Sequence, residues 1–392
     1  MGALDDIRVV EAGLLVQGPQ AAAVLGDWGA DVIKVELPGF GDQARWLPVQ
    51  PGDARSGYFV ACNRGKRCVT IDLRTPGGRE LFLRLAEQAD VIITNFKPGT
   101  MDGWGLGYED VAARNPRVVY ALGSTFGTEG PDAQREGADL SAQAAGGLIS
   151  TTGADGTDPT PVAVTISDHI ASQNLVSGIL AALYARERTG RGQRVDTSLL
   201  AGQIWAQASE YTAYLLSGHV AGRANRGHPL VPGLYGIFRT ADGWIAIVGV
   251  VGSARDLFFE TIGRPDLAAR FPQLLYWNDE KAELFPLLDE TFSTKPTAHW
   301  AELLRAAGLR FALVRDHAEV VADPASWANG YFAKAVDNGT EHTLVTSPVR
   351  FSTTPARFSA MVAELGQHTE EVLLELGYSW DDIGQLRDEG VI

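Results

Sequence analysis

The residues of this chain best suited to chemistry stand at helix starts and in glycine-containing loops. Asp168, within Thr165-Ile166-Ser167-Asp168-His169, opens the strongest helical pattern in the sequence. A helix amino terminus stabilises an ionised carboxylate and aims N–H donors at whatever binds there, so Asp168 can be a cap or a nucleophile, capping being the default for an aspartate at that place. His169 follows it directly, and sequence neighbours do not share a helix face. Gln17 lies in the loop 12–19 just ahead of another helix, where its neutral amide both donates and accepts. That loop has no GxGxxG pattern, so no dinucleotide fingerprint is present. Asn95-Phe96-Lys97-Pro98-Gly99 places an amide, an aromatic face and a cation at a rigid turn. The trio suits an adenine nucleotide, with Phe96 over the base, Asn95 on its edge or on the backbone, and Lys97 at a phosphate; a packed turn is the plain alternative. Segment 130–140 adds Glu136 and Asp139, the latter able to cap a following helix.

A second feature is electrostatic. Asn63-Arg64-Gly65-Lys66-Arg67 concentrates three cations at a turn, with Arg74 soon after, in a chain of formal net charge -15. A basic island in an acidic protein points to an anionic ligand, the alternative being a solvated basic face. The same acidity argues against nucleic acid or an anionic membrane as the main partner, since either demands a broad basic surface.

Composition sets the frame for these residues. With 392 residues, 45% of them hydrophobic and 21% charged, the chain has ample material for the cores of about two domains. Cys62 and Cys68 are the only cysteines, without zinc-ligand spacing, so no metal is expected and a reducing cytoplasm fits best. The sequence has neither a leader pattern at residues 1–6 nor an apolar run of about 18 residues; a soluble cytoplasmic protein is expected.

Short apolar runs alternate with helical patterns over the first 200 residues. Strands are predicted at 7–11, 31–36, 68–72, 91–94 and 118–122, with helices at 20–28 (begun by Pro19), 76–88 and 170–188, the last stopped by Gly190 and Gly192. This is a doubly wound, Rossmann-like α/β layout, in which ligands bind beyond the carboxyl ends of the strands. The texture changes after Gly218, with a hairpin around Ala241-Asp242-Gly243 and helices to about 308. Three segments are expected: 1–217 as the large domain, 218–308 as a smaller α+β domain, and 309–392 returning to the first, with a strand-like run at 312–315, a turn-rich stretch at 329–352 and an amphipathic ending at 364–376.

Several ordered motifs resemble the class III CoA-transferases, the CaiB/BaiF family. These are GADVIKVE at 29–36, NRGKR at 63–67 with the strand leading to Asp72-Leu73, ADVIITNFKPG at 89–99, Gly130-Pro131, TGRGQ at 189–193, the GxFxTxDG-like segment 236–243 and the ending GQHTEEVL at 366–373. The resemblance implies that the anion is coenzyme A, a substrate rather than a prosthetic group, lying on residues matching Val16, Leu73, Asn95, Phe96 and Lys97, with Arg64, Lys66, Arg67 and Arg74 extending the site. It implies that Asp168 is both cap and nucleophile, exchanging CoA between an acyl-CoA and a free carboxylic acid through aspartyl anhydride and aspartyl-CoA thioester intermediates. Gln17 then lies near the acyl carboxylate, Asp139 joins the catalytic group, and backbone N–H groups at the start of the Asp168 helix are expected to stabilise the oxyanion. An interlocked homodimer is implied as well.

The chain departs from the family pattern twice. Only Gly227-His228-Pro229 and Pro232-Gly233 stand where some members carry a run of glycines covering the aspartate. Ala138 precedes Asp139 where the related α-methylacyl-CoA racemases have a histidine, and a racemase needs two bases about the α-carbon. Racemisation, with His169 substituting, and CoA binding without catalysis remain the alternatives. Trp46, Leu47, Trp205 and Tyr235 hint at room for an apolar acyl group, core packing being their ordinary use.

Overall fold

The computed structural model describes residues 2–47, 56–224, 226–272, 278–337 and 339–392. The chain divides into two units, one of Met1–Gly146, Ala163–Ala206 and Pro324–Ile392, the other of Gly147–Val162 and Gln207–Asp323.

The larger unit is built on six strands: β1 (Arg8–Ala12), β2 (Asp31–Glu36), β3 (Arg67–Thr70), β4 (Val91–Thr94), β5 (Val119–Ser124) and β6 (Arg194–Ser198). They form one sheet in the order β3-β2-β1-β4-β5-β6, every neighbouring pair parallel, with Val10 in register with Ile33 on one side and Ile92 on the other. The reversal beside β1 creates a crevice at the carboxyl ends of β1 and β4, the place where doubly wound sheets hold ligands. Side chains alternate between faces and both faces are covered, which is why these strands read as nearly continuous apolar runs. Val10, Ile33, Val69, Ile92 and Tyr120 pack with Phe82 and Leu85 on one face. Val9, Val32, Val91, Ile93 and Val119 pack on the other with Val24, Leu25, Leu175 and Ile179.

The helix Gln17–Asp27 begins three residues earlier than expected, with Pro19 inside its first turn, where a missing N–H costs nothing. The long helix Ile166–Thr189 starts four residues before the expected 170 and ends at Gly190. Strand β6 was not anticipated. Its sequence RVDTS alternates and is exposed or half-buried except at Ser198, so it lacks the apolar run that marks the other five.

The smaller unit holds a three-stranded antiparallel sheet of β7 (Leu234–Arg239), β8 (Trp244–Val250) and β9 (Phe311–Leu313). Phe238, Phe258, Phe285, Phe292 and Trp300 form its aromatic core. Because β9 pairs with β8, the chain stays in this unit until 323, beyond the expected return at 309. The unit also takes in 147–162, and its main segment begins at 207, where 218 was expected. The stretch 329–352 contains a hairpin of β10 (Phe332–Asp337) and β11 (Thr340–Val345). Among the described residues, no helix is long and apolar enough to cross a membrane.

Candidate active site

Asp168 is the third residue of the long helix and is half-buried. Burial, followed by the negative charge of Asp139, pushes its carboxyl up to about 7. Among the described residues its carboxylate makes no hydrogen bond or ion pair, so the cap role expected of it falls elsewhere. Asp139 performs it from outside the helix. Its Oδ1 accepts from the backbone N–H of Ser167 at 2.7 Å and of Asp168 at 3.1 Å, while Oδ2 accepts from Gln143 Nε2 at 2.6 Å. Ser167 Oγ receives Gln203 Nε2 at 2.7 Å and donates to Asp139 O at 3.2 Å. The expectation of free oxyanion donors here is thereby corrected. The N–H groups of Ile166 and His169 bond Val164 O and Thr165 O, and those between them bond Asp139. His169 is exposed, as is Glu136.

Gln17 is buried at the start of its helix, and Nε2 donates to Ser124 O at 3.4 Å. Its backbone carbonyl and that of Asp168 both lie within reach of one hydroxyl, Ser172 Oγ, at 2.8 and 2.7 Å. That side chain ties the two helix starts together one turn beyond Asp168. Gly123 leaves the space that the Gln17 amide occupies: a Cβ there would lie 2.4 Å from Gln17 Oε1.

The loop between β1 and Gln17 is held from below by buried charges. Lys34 Nζ reaches Glu11 at 3.2 Å, Asp42 Oδ2 at 2.9 Å and Gly13 O at 3.0 Å. Glu11 Oε1 accepts from Gly13 N at 2.7 Å, and Asp42 Oδ1 accepts from Leu15 N at 3.0 Å. Burial alone would discharge Lys34, but Glu11, Asp42 and Glu36 outweigh it and raise its pKa. Leu15 takes a left-handed conformation, φ 63°, which a β-carbon disfavours and this frame sustains. Asn95 closes the loop from above, accepting from Leu14 N and donating to Leu14 O, each at 2.8 Å. Its amide is committed to the backbone of Leu14, which is one of the two uses expected of it.

The basic turn is corrected more sharply. Lys66 is buried, with Nζ on Glu11 Oε2 at 3.0 Å, Pro19 O at 2.9 Å and Asn63 Oδ1 at 2.8 Å. Arg64 is buried against Asp27 at 2.6 Å, and Arg67 bonds Asp31 at 2.7 Å as well as Glu371 and Glu375. Their charges are taken up by carboxylates of the chain itself, buried at Glu11 and Asp27 and at the surface at Asp31, Glu371 and Glu375, so the island visible in sequence is not an open anion site. Arg74 differs: it is exposed and, though paired with Asp72 at 2.7 Å, lines a cleft of about 260 Å³ with Leu14, Phe40, Leu73, Phe96 and Trp104. Phe96 packs edge-on to Trp104, ring centroids 5.5 Å apart. Val16 is buried as the residue before the first helix, and Lys97 is exposed beside Phe96. Trp46 and Trp205 are exposed, while Tyr235 belongs to the smaller unit.

In chemical terms, the larger unit holds an aromatic cleft whose wall carries the Arg74–Asp72 pair and Glu36, and at two helix starts a buried amide, Gln17, and a carboxylate of raised pKa, Asp168. Residues 4–369 match the model of CoA-transferase family III. The chain is 33% identical to a succinyl-CoA–D-citramalate CoA-transferase of Chloroflexus aurantiacus, covering 99% of this chain and 98% of that one. It is 34% identical to a succinyl-CoA:mesaconate CoA-transferase of Haloarcula marismortui, over 96% and 97%. The crystal structure of a CaiB/BaiF family protein from Brucella suis superposes with a TM-score of 0.85 at 34% identity, over 96% and 99% of the two chains.

Proposed function

The chain belongs to CoA-transferase family III, and from that premise we propose that it moves coenzyme A from an acyl-CoA to a free carboxylic acid through covalent intermediates on Asp168. The observation that carries this reading is the Asp168 carboxylate itself: half-buried, unpaired among the described residues, and with a pKa brought to about 7. A carboxylate so poised is ionised enough to attack at neutral pH and is poorly solvated, which favours nucleophilic attack.

The sequence of bonds is closed. Asp168 attacks the thioester carbonyl and expels CoA thiolate, leaving an acyl-aspartyl anhydride. The thiolate attacks the aspartyl carbonyl and releases the donor acid, leaving an aspartyl-CoA thioester. The acceptor carboxylate attacks that thioester and expels the thiolate again, which then takes the new acyl group and restores Asp168. No water enters. Gln17, fixed by Gly123 and Ser124, is positioned to hold the acyl carboxylate with a neutral donor. Asp139 positions the nucleophile rather than reacting.

The cleft lined by Leu73, Arg74 and Phe96 is assigned to the nucleotide end of coenzyme A, with Val16 and Lys97 nearby. The names of the relatives pair succinyl-CoA with acids that carry two carboxylates, which favours acids of that kind as substrates. A homodimer is supported by Leu215 and Leu216, 78% and 84% exposed on one helix of the smaller unit. Two buried free thiols suit the cytoplasm.

Incubation with an acyl-CoA and a labelled acid tests the reading. Label entering thioester, together with hydroxylamine trapping of CoA-dependent modification on the peptide bearing Asp168, is expected. Exchange of the α-hydrogen without label transfer would instead select racemisation, and CoA binding with neither would select a non-catalytic binder.

A further inference from the structure

The smaller unit contains a cavity of about 420 Å³ that the transfer reaction does not account for. Arg223, Arg226, His228, Tyr235 and Lys281 stand on its wall, with Phe285 and Pro286 supplying an apolar side. Two of the polar groups are satisfied within the protein. Arg226 pairs with Asp289 at 2.6 Å, and His228 bonds Glu210 through Nε2 at 3.0 Å while its Nδ1 accepts from Leu230 N at 3.1 Å.

Lys281 and Arg223 are different. Among the described residues neither forms an ion pair. Arg223 directs its guanidinium at backbone carbonyls, including Thr157 O at 2.7 Å and Ser150 O at 3.2 Å. It fixes the segment 147–162 and leaves its charge uncompensated by any carboxylate partner. Lys281 is 8% exposed, and its ammonium has one acceptor, Val231 O at 3.2 Å. A buried ammonium with one carbonyl for three N–H bonds is costly unless an anion completes it. Burial accordingly holds the Lys281 pKa below the usual lysine range. The Tyr235 hydroxyl, also without a protein partner among the described residues, adds a neutral donor on the same wall. Asp155 lines the cavity too.

We infer that this cavity of the smaller unit binds the carboxylate of a short-chain carboxylic acid, received by the Lys281 ammonium in the field of Arg223, with the acid's carbon chain against Phe285 and Pro286. The site is of the size usual for small-molecule ligands, and pairs a few placed polar groups with apolar walls. The inference does not depend on covalent chemistry at Asp168.

Butyrate is the probe, titrated calorimetrically into the full-length protein. Lys281→Met is expected to weaken binding at least tenfold and Lys281→Arg to restore most of it, with Lys281→Met melting no lower than the ligand-free wild type because it removes an incompletely bonded ammonium. Any butyrate taken up at the proposed acyl site should be lost in Gln17→Ala while the component that depends on Lys281 persists, so failure here and failure of the transfer reading are distinguishable. Butyramide, which keeps the shape and lacks the charge, should not bind. Equal affinity for butyrate in wild type and Lys281→Met, loss of the Lys281-dependent binding in Gln17→Ala, or inorganic phosphate binding as tightly as butyrate would each overturn the assignment.

Discussion

The carboxylate of Asp139 accepts a hydrogen bond from the backbone N–H of Asp168 at 3.1 Å and at the same time repels the Asp168 side chain, raising its pKa. One residue thus fixes the helix start that carries the nucleophile and adds to burial, the larger cause, in raising the pH at which that nucleophile ionises. Asp139→Asn keeps an oxygen for the N–H groups of Ser167 and Asp168 but removes the charge. Transfer activity in the wild type should fall on acidification through about pH 7, to roughly a tenth of its plateau one unit below. In the Asn variant the acid limb should move to lower pH, read from kcat/KM profiles. Asp139→Ala loses the cap as well and should cost about 1–2 kcal/mol of stability.

Asp168→Asn should abolish transfer, by about three orders of magnitude or more, while CoA affinity persists. It should also stabilise the protein at alkaline pH. The folded pKa of about 7 lies above the unfolded value of 3.8, so the folded state holds more protons between them and wild-type stability declines as pH rises through that window. The variant lacks this decline. At pH 8 it should exceed wild type by roughly 1–3 kcal/mol, and at pH 4 by much less, as measured by urea unfolding.

Lys66 separates a structural cation from a binding one. Its ammonium is buried, with Glu11, Pro19 and Asn63 as acceptors for its three N–H bonds and none left over for a ligand. Lys66→Met should lower unfolding free energy by roughly 3 kcal/mol and leave CoA affinity of the folded protein within about twofold. Arg74→Gln, on the exposed rim of the Leu73 and Phe96 cleft, should do the reverse, weakening CoA with little effect on stability.

That contrast marks where the sequence could be read and where it could not. The parallel sheet was legible because strands buried on both faces are nearly continuous apolar runs, as at Val91–Thr94. Strand Arg194–Ser198 escaped because it is polar and largely uncovered in this chain. The position of Asp168 at a helix start was legible, while its reading as a nucleophile came from the family resemblance. Its missing cap hydrogen bond was not legible, because the capping group, Asp139, lies 29 positions earlier. For the basic turn, spacing showed three cations but not that Glu11, Asp27 and Asp31 would fold onto them. Charge counts report what a segment carries, and only the fold reports what is already neutralised. Phe96 was legible as the aromatic face of the 95–99 loop and Leu73 came from resemblance, whereas Trp104 and Phe40, which complete the cleft's walls, had no motif to announce them.

Gly123 offers the most discriminating test of how the acyl site is held. It lies on β5, buried, and its α-carbon faces the Gln17 amide so closely that an added methyl would stand 2.4 Å from Oε1 and 2.6 Å from Cδ. Gln17 cannot retreat, because Ser172 Oγ anchors its backbone at 2.8 Å and its side chain is enclosed. Gly123→Ala should therefore displace the amide without touching the nucleophile. The expected result is a fall in kcat/KM of about 10- to 100-fold, the range for a misplacement near one ångström, with the pKa of the acid limb unchanged. Gln17→Ala removes the clash along with the amide. If Gly123 acts only through Gln17, the double variant should be no worse than Gln17→Ala alone, a coupling energy as large as the Gly123→Ala effect itself. Additive losses in that cycle would show instead that Gly123 supports the sheet and not the glutamine.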